Sequence, residues 1–522
     1  MGNAFPARPQ AGVCLHITSL PGEFGLGEMG QAALNFIDQL VAMDLRVWQI
    51  LPTGPTAYGD SPYQPLSSFA GNELLIDTQQ LLAAGLVLES EVQELRALPH
   101  GYVDFEHLVP AKTTILAHAA ERFMAQASDD SQATFEAFKA QHDHTWLHDY
   151  ALYRVLKRRH EEYAWVEWLP EYRDRQSPAV RDVEEQSAMA LEHIKILQFL
   201  FDQQWQQLHT YAISRGVLLF GDIPIYLALD SSDVWANPLL VSLDEHNNPT
   251  ALAGVPPDDF SADGQLWGNP IYDWDYHANT HYAWWISRVQ HALNAVDLVR
   301  IDHFRGLESY WSIPFGAPTA ETGQWLPGPA YGLLDALYGA FDNPSVVAED
   351  LGFMTDEVEA LRQKYKIPGM VVLQEKIADP EFNLSNIDPN SICYPGTHDT
   401  DTCRGWFDGG SFGEIRTPEE VQQSQQNLLK LTRGTPRTVA EDMIGLAYGS
   451  AANLAIVLMQ DFIDLGNEAR FNLPGTASNN WRWRLLPEQL GANTIAQVAR
   501  LVANGHRHRE VMAEAQPPQP MP

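Results

Sequence analysis

The sequence predicts an α/β protein built on a (β/α)8 barrel, and three observations lead to this prediction. Eight short apolar runs recur along the 522 residues. Segments of helical character separate these runs. The runs are continuously apolar rather than alternating, which is typical of strands buried on both faces of a parallel sheet. Eight buried parallel strands with helices between them favour a closed barrel.

The eight predicted strands follow one another along the chain. They are residues 13–20 (VCLHITSL), 45–51 (LRVWQIL), 217–225 (VLLFGDIPI), 295–304 (AVDLVRIDHF), 345–350 (SVVAED), 370–374 (MVVLQ), 391–398 (SICYPGTH) and 454–464 (LAIVLMQDFID).

The connections between these runs differ greatly in length. After the second run comes a loop rich in Gly, Pro and Ser, followed by apolar residues at helical spacing, which predicts a mostly helical insertion over residues 53–215. Residues 239–272 read as a loop-rich insertion between the third and fourth strands. We expect residues 1–522 to form one catalytic barrel domain without a separate C-terminal β domain, and residues 509–522 to be a flexible tail.

Composition narrows the classes of ligand. Asp and Glu number 67 against 33 Lys and Arg, which gives a formal net charge of -34. This charge repels phosphate backbones and anionic lipids, so it argues against nucleic-acid and membrane-surface roles and favours a neutral or cationic ligand. The 15 Trp residues suit either the stacking of uncharged rings or core packing.

Cysteine usage indicates a reducing compartment. Cys14, Cys393 and Cys403 are too few and too scattered for a disulfide framework or a thiolate metal site. The sequence has no apolar run of about 18 residues, the length that would span a membrane. The expected location is therefore the cytoplasm.

Charged side chains end several of the predicted strands. Arg300 and Asp302 alternate onto one face of the fourth strand, and Glu349 ends the fifth. Asp399 follows the seventh strand, and Asp222 lies in the third. Because barrel active sites form at the carboxyl ends of the strands, these carboxylates are expected to converge. Like charges that lie close together at a barrel end cost free energy when they have no counter-ion. A purely structural role could therefore explain a single carboxylate there, but it explains several of them poorly.

Glycoside chemistry needs such a set of carboxylates. One ionised carboxylate acts as nucleophile, and one protonated carboxylic acid protonates the leaving oxygen. Arg300 is expected to keep Asp302 ionised, and neighbouring negative charge is expected to keep Glu349 protonated.

A metal-dependent barrel hydrolase is the competing interpretation, because His16, His303 and His398 also lie near strand ends. That class usually needs paired histidine ligands, and the first strand offers His16 without a second histidine two residues later. The sequence also lacks the glycine-rich patterns of phosphate sites. We therefore expect neither a metal nor an organic cofactor.

Several sequence blocks, in a fixed order from about residue 12 to residue 484, resemble one enzyme family. They are HITSLPGEFGLGEMG, WQILPTGPTAYGDSPYQPLSSFAGNELLID, GDIPIYLALDSSDVW, AGVPPDDFSADGQLWGNPIYDW, VRIDHFRG, VVAEDLG, GTHDTDT and NEARFNLPGT. The chain resembles the 4-α-glucanotransferases (amylomaltases or disproportionating enzymes) of glycoside hydrolase family 77, in the α-amylase clan. The chain departs from the family's usual pattern at Asp259, Leu266, Val371 and Thr400, which bears on lid and acceptor behaviour rather than on reaction class.

The resemblance implies a role for each matching residue. Asp302 would be the nucleophile, Glu349 the general acid and base, and Asp399 the transition-state stabiliser. The residues that would contact substrate or line its groove and lid are Tyr58, Ser61, Tyr63, Asp222, Phe260, Gln265, Trp267, Arg300, His303, His398 and Asn472.

The implied reaction transfers α-1,4-glucan segments between maltodextrin chains through a covalent glycosyl-enzyme. Two inversions give net retention, which predicts carboxyl groups about 5 to 5.5 Å apart. The expected partners are glucan donors and acceptors, and the expected state is a monomer or weak homodimer. Two alternatives are an α-1,4-glucan hydrolase on the same barrel and a glucan-binding protein on an inactive barrel, although the latter should lack a carboxylate of the catalytic set.

Overall fold

The computed structural model describes residues 3–257, 263–379, 382–410, 416–476 and 478–508, with Tyr58 described by its backbone alone. Its twelve strands are β1 Gln10–Cys14, β2 Val47–Gln49, β3 Leu218–Ile223, β4 Ala251–Val255, β5 Gln265–Pro270, β6 Leu298–Ile301, β7 Ser309–Pro314, β8 Gln324–Pro327, β9 Val346–Ala348, β10 Gly369–Val372, β11 Ser391–Tyr394 and β12 Leu454–Leu458.

Eight of these strands form the barrel. They lie side by side in the order β10, β11, β12, β1, β2, β3, β6 and β9, and every pairing is parallel. At the remaining seam, the N–H of Ala348 at the end of β9 donates to the carbonyl of Pro368 just before β10, at 2.8 Å. The predicted (β/α)8 barrel is therefore confirmed.

Each of the eight predicted runs overlaps one barrel strand, and local chemistry explains where the ends differ. The first strand starts earlier than predicted, at Gln10, because small residues there gave a weak apolar signal. Gly12 is required in it, since a Cβ at this position would lie 2.8 Å from the carbonyl oxygen of Val47. The last strand ends at Leu458, where a short helix begins, rather than at residue 464.

The α-helices account for a large share of the remaining chain. They are α1 Gln31–Ala42, α2 Thr78–Ala83, α3 Gln93–Arg96, α4 Phe105–Gln126, α5 Asp129–His142, α6 His148–Arg159, α7 Pro170–Arg173, α8 Pro178–Gln186, α9 Ala188–Ser214, α10 Ser232–Ala236, α11 Trp274–Asn279, α12 Ala283–Ala295, α13 Ala330–Ala340, α14 Asp356–Lys364, α15 Leu373–Lys376, α16 Cys403–Phe407, α17 Pro418–Thr432, α18 Val439–Gly449, α19 Met459–Phe462 and α20 Ala492–Asn504.

Helices α2 to α9 all lie between β2 and β3, the stretch where the sequence predicts a helical insertion. Hydroxyl side chains begin two of them: Ser128 accepts from the N–H of Ser131 before α5, and Ser177 accepts from Val180 before α8. Such caps satisfy backbone donors that have no partner inside the helix. The insertion packs through aromatic rings, including Phe135 and Phe199, whose centroids lie 5.4 Å apart.

A second sheet is formed by strands that do not belong to the barrel. It is antiparallel and has four strands, in the order β5, β4, β7 and β8. Its first two strands fall within residues 239–272, a segment expected to be loop-rich. The sheet was not expected from the sequence because its strands are short and half-exposed. Within β5, the first four positions are half-exposed or exposed, and the strand ends at Pro270.

In the described part of the chain, no helix combines the length and the apolar composition needed to cross a lipid bilayer. The expected tail, residues 509–522, lies outside the described residues.

Candidate active site

Charged side chains from four strands meet at the carboxyl end of the barrel. Asp222 lies in β3 and Arg300 opposite it in β6, where the two residues are register partners. Asp302 follows β6 directly, and Glu349 follows β9. Asp399 stands in the loop after β11. The parallel arrangement brings these strand ends to one face of the barrel, as expected from the sequence.

Arg300 binds two carboxylates at once. Its Nη1 lies 2.5 Å from Oδ2 of Asp222, and its Nη2 lies 2.9 Å from Oδ1 of Asp302. The Asp222 side chain is fully buried and that of Arg300 is 4% exposed, whereas that of Asp302 is 27% exposed. Asp222 therefore serves as the inner counter-ion, and Asp302 is the carboxylate of the pair that a ligand can reach.

Glu349 is held by two backbone donors. Its Oε2 accepts from the N–H of His303 at 2.7 Å, and its Oε1 accepts from the N–H of Leu351 at 3.0 Å. His303 adopts a left-handed backbone with φ of 45°, uncommon for a residue other than glycine. The turn after Asp302 thus supplies a donor to the other carboxylate of the site.

The pKa values of the two carboxyl groups are raised to different extents. Burial raises the pKa of Glu349 to about 8; Arg300 opposes this rise, and the charge of Asp302 adds to it. Burial also raises the pKa of Asp302 to about 6, against Arg300 and with the charges of Asp222 and Asp399. The expectation that Arg300 holds Asp302 ionised is thus right in direction, but burial outweighs it. Near neutral pH, Glu349 keeps its proton while Asp302 is ionised.

Asp399 is kept ionised by its neighbours. Burial opposes ionisation, but the charge of His398 and hydrogen bonds from His398 and Asn472 lower the pKa of Asp399 below its usual value. The Asn472 amide donates to Oδ1 at 2.7 Å, and Nε2 of His398 lies 3.2 Å from Oδ2. This carboxylate is therefore an acceptor for donors on a ligand.

Tyr63 connects two sides of the cleft. Its hydroxyl donates to Oδ2 of Asp222 at 2.8 Å and lies 2.7 Å from Nε2 of His398. Its ring stacks on the imidazole of His398 with centroids 5.3 Å apart. Ser61 accepts from the N–H of Tyr63 through its hydroxyl, at 3.2 Å. The loop after β2 is thus fixed to the strand ends by hydrogen bonds and stacking.

Trp267 of the outer sheet reaches the barrel face. Its ring packs edge-on against the imidazole of His303, with centroids 4.9 Å apart. Its indole N–H donates to the side-chain oxygen of Gln265 at 3.0 Å. Phe260, the third residue expected in this lid, and the departure at Asp259 lie outside the described residues, as does the side chain of Tyr58.

Metal ligation finds no geometric support in the described part of the chain. Over those residues, no group of three or more His, Cys, Asp or Glu side chains is arranged to hold a metal ion. Burial lowers the pKa of His16 and of His303 to about 3 in each case, so both rings are neutral at physiological pH.

Two features of the site were not expected from the sequence. Trp481 lies beside the stack of Tyr63 and His398, at 5.8 Å and 6.3 Å between ring centroids. Arg470 donates to the backbone carbonyl of Asp399 at 2.6 Å. Arg470 stands in the NEARFNLPGT block, so that block was the available signal, but only Asn472 was selected from it.

Comparison with known proteins gives one consistent result. The sequence profile of a family described as 4-alpha-glucanotransferase matches residues 15–489. The 4-alpha-glucanotransferase of Streptococcus pneumoniae serotype 4 is 41% identical over 490 residues, which cover 92% of this chain and 94% of that protein. The 4-alpha-glucanotransferase of Synechocystis is 42% identical over 489 residues, with 92% and 94% covered.

A solved structure agrees with these sequences. The amylomaltase of Streptococcus agalactiae, solved in complex with acarbose, superposes with a TM-score of 0.90 at 33% identity. The match covers 96% of this chain and 100% of that one. The likeness thus extends over the barrel, the inserted helices and the outer sheet together.

Proposed function

This chain belongs to the 4-α-glucanotransferase family, glycoside hydrolase family 77, and from that premise we propose that Asp302, Glu349 and Asp399 carry its reaction. The enzyme transfers α-1,4-glucan segments. One observation supports the proposal most: Arg300 binds the half-buried carboxylate of Asp302, while the N–H of His303, the next residue, donates to the half-buried carboxyl group of Glu349. The pKa of Glu349 is raised further than that of Asp302, which is the direction that an acid and a nucleophile require.

In the first half-reaction, the ionised carboxylate of Asp302 attacks the anomeric carbon of the donor glucan. Glu349 gives its proton to the departing glycosidic oxygen, so the leaving chain departs as a neutral alcohol. Arg300 remains bonded to Asp222 throughout, so a positive charge stays beside the nucleophile while its own charge is consumed. The product is a β-linked glycosyl-enzyme on Asp302.

In the second half-reaction, Glu349 acts as a base because it has lost its proton. It takes the proton of the 4-hydroxyl of an acceptor glucan, whose oxygen attacks the anomeric carbon and releases Asp302. The new bond has the α configuration because two inversions have taken place. Without a bound acceptor, water would complete the same step as hydrolysis.

Asp399 is proposed to accept hydroxyl donors of the sugar at the reacting position. Its ionised state, secured by His398 and Asn472, makes it a strong acceptor as positive charge develops at the ring. Tyr63 and Trp267 would provide flat surfaces for neighbouring sugar rings, which suits an uncharged ligand in a strongly acidic protein.

The direct test is incubation of the purified enzyme with maltotriose and EDTA, followed by separation of products by chain length and a count of reducing ends. We expect glucose together with a ladder of longer maltodextrins, at a nearly constant number of reducing ends. Glucose and maltose with rising reducing ends would mean hydrolysis instead. Asp302→Asn should form no ladder, whereas Glu245→Gln, at a side chain that is 87% exposed, should match the wild type.

We further propose a cytoplasmic location and a monomeric or weakly dimeric state. Three buried cysteines without disulfides, Cys14, Cys393 and Cys403, support a reducing compartment. Fractionation would test the first proposal, and sedimentation velocity over a range of concentrations would test the second.

A further inference from the structure

Arg470 contacts the catalytic region through two backbone carbonyls and one buried carboxylate. Its Nη2 donates to the backbone carbonyl of Asp399 at 2.6 Å, and its Nε donates to the carbonyl of Asn472 at 2.5 Å. Its Nη1 forms an ion pair with Asp401. One guanidinium thus binds both the loop that carries Asp399 and the loop whose Asn472 bonds the Asp399 carboxylate.

Asp401 is itself tightly enclosed. Its side chain is fully buried, and Oδ1 also accepts from the Asn467 amide at 2.9 Å. Its backbone carbonyl accepts from the Gln374 amide at 2.8 Å. A Cβ on Gly410 would lie 1.9 Å from Oδ2 of Asp401, so the neighbouring chain closes over the ion pair without space for a side chain.

We infer that Arg470 and Asp401 form a positioning pair for the transition-state stabiliser: they fix Asp399 and Asn472 relative to each other without touching substrate. The inference rests on the proposed role of Asp399. The reason is geometric, since the Asp399 carboxylate accepts a hydrogen bond from a loop whose position Arg470 sets. A guanidinium suits this task because its planar set of donors reaches three acceptors in different directions. Lysine would keep the charge and lose that geometry.

Arg507 provides a matched control. It is a fully buried arginine that, like Arg470, bonds backbone carbonyls, those of Gln10, Tyr448 and Ser450 among them. Those partners lie at the amino ends of β1 and β12, the opposite end of the barrel from the site. Arg507→Lys should therefore lower the thermal midpoint without a specific effect on turnover.

The experiment compares Arg470→Lys with Arg507→Lys in kcat, KM and thermal midpoint, using maltotriose and an α-maltosyl fluoride donor. We expect Arg470→Lys to lower kcat by about 100-fold while KM changes little, the typical effect of misplacing a catalytic group by about 1 Å. The loss should be equal for both donors, because Asp399 is needed whatever group leaves. A kcat loss no greater than that of Arg507→Lys would overturn the inference.

A double-mutant cycle separates positioning from a general loss of structure. If Arg470 acts through Asp399, adding Arg470→Lys to Asp399→Asn should cost less than about 3-fold in fluoride turnover, because the group it positions is already impaired. If the fold losses of the two substitutions simply multiplied, the inference that Arg470 acts through Asp399 would be wrong. If Arg470→Lys does not fold, Asp401→Asn replaces it in the same cycle. Normal activity of Asp399→Asn alone would instead refute the proposed role of Asp399, which the single variant reports separately.

Discussion

The carboxylate of Glu349 accepts a hydrogen bond from the backbone N–H of His303, with 2.7 Å between Oε2 and the nitrogen. His303 follows the nucleophile directly, and its left-handed φ of 45° belongs to the turn that supplies this donor. The backbone after Asp302 therefore sets the position of Glu349, and the side chain of Arg300 sets that of the Asp302 carboxylate, so the two contacts together fix the spacing of acid and nucleophile. For a retaining enzyme, this spacing should be about 5 to 5.5 Å between the carboxyl groups.

Asp302→Asn should lower transfer and hydrolysis by at least about 10⁴-fold, because the amide cannot form the glycosyl-enzyme. Arg300 keeps its bond to Asp222 in this variant, so the cleft should persist. Calorimetry should give acarbose affinity within about 3-fold of the wild type, as expected where the binding surface is unchanged. Near-normal turnover would show that another group is the nucleophile.

Glu349→Gln should be about 10² to 10⁴-fold slower on maltotriose, the range expected for loss of an acid and base. A glycosyl fluoride needs no protonation to leave, so this donor should still form a covalent adduct on Asp302. Mass spectrometry of the intact variant would detect it. Absence of any adduct, with acarbose still binding, would contradict the assignment of Glu349 as the acid.

The pH profile of kcat/KM should be bell-shaped. Activity should rise as pH increases through about 6, where Asp302 ionises, and fall through about 8, where Glu349 loses its proton. The two apparent values belong to the pair, because each charge affects the other. Initial rates on maltotriose across this range would measure them. A flat profile on the alkaline side would mean that Glu349 is not the proton donor.

The pH dependence of stability should report the same carboxyl group. The pKa of Glu349 is raised in the folded state from 4.5 to about 8, so folding stability is lost as pH rises across that interval. The amide introduced by Glu349→Gln cannot ionise, so the variant does not lose stability in this way. Its NH₂ group would, however, face one of the backbone N–H groups that donate to Glu349 in the wild type. The thermal midpoint of Glu349→Gln, relative to wild type, should therefore rise from acid to alkaline pH. Glu245→Gln, at an exposed side chain, is the control variant. If the thermal midpoint of Glu349→Gln followed that of the wild type at a constant difference across this pH range, the raised pKa of Glu349 would be contradicted.

Trp267→Ala should shift the enzyme from transfer toward hydrolysis. The indole packs against His303 beside the nucleophile, so its removal opens that side of the cleft to water. We expect the ratio of new reducing ends to transferred glucose to increase about 10-fold, the scale of one lost apolar contact. Trp325→Ala is the control, since Trp325 belongs to the same outer sheet but packs on Trp311 and Arg305 rather than on His303. An equal shift in both variants would mean that the whole sheet, rather than Trp267, excludes water.

The barrel was predictable because strands buried on both faces appear in the sequence as continuous apolar runs. Runs such as Leu454–Leu458 are wholly apolar and wholly buried. The outer sheet was not predictable in this way: β5 has the sequence QLWGNP, in which half-exposed positions and a terminal proline read as a loop. The outer sheet also requires β4 to pair with β7, and these two strands lie far apart in the chain.

The residues of the active site also differ in whether the sequence could reveal them. Carboxylates at strand ends were found because the barrel brings those ends together, whatever the loops do. Arg470 was missed because it bonds backbone carbonyls, and a carbonyl exists at every position. The raised pKa of Asp302 was missed as well, because burial depends on the packed molecule, whereas the sequence displayed only the favourable neighbour, Arg300.

The pairing of β1 with β12 has a consequence during synthesis. Gln10 lies opposite Leu454, so the first barrel strand to be synthesised finds one of its two neighbours only after all the other barrel strands have been synthesised. At ordinary elongation rates, this interval is on the order of half a minute. Throughout it, one edge of β1 has no β12 to pair with, and the cleft lacks the loop of Asn472. We therefore expect the nascent chain to be inactive, and to expose an aggregation-prone strand edge, until β12 closes the barrel.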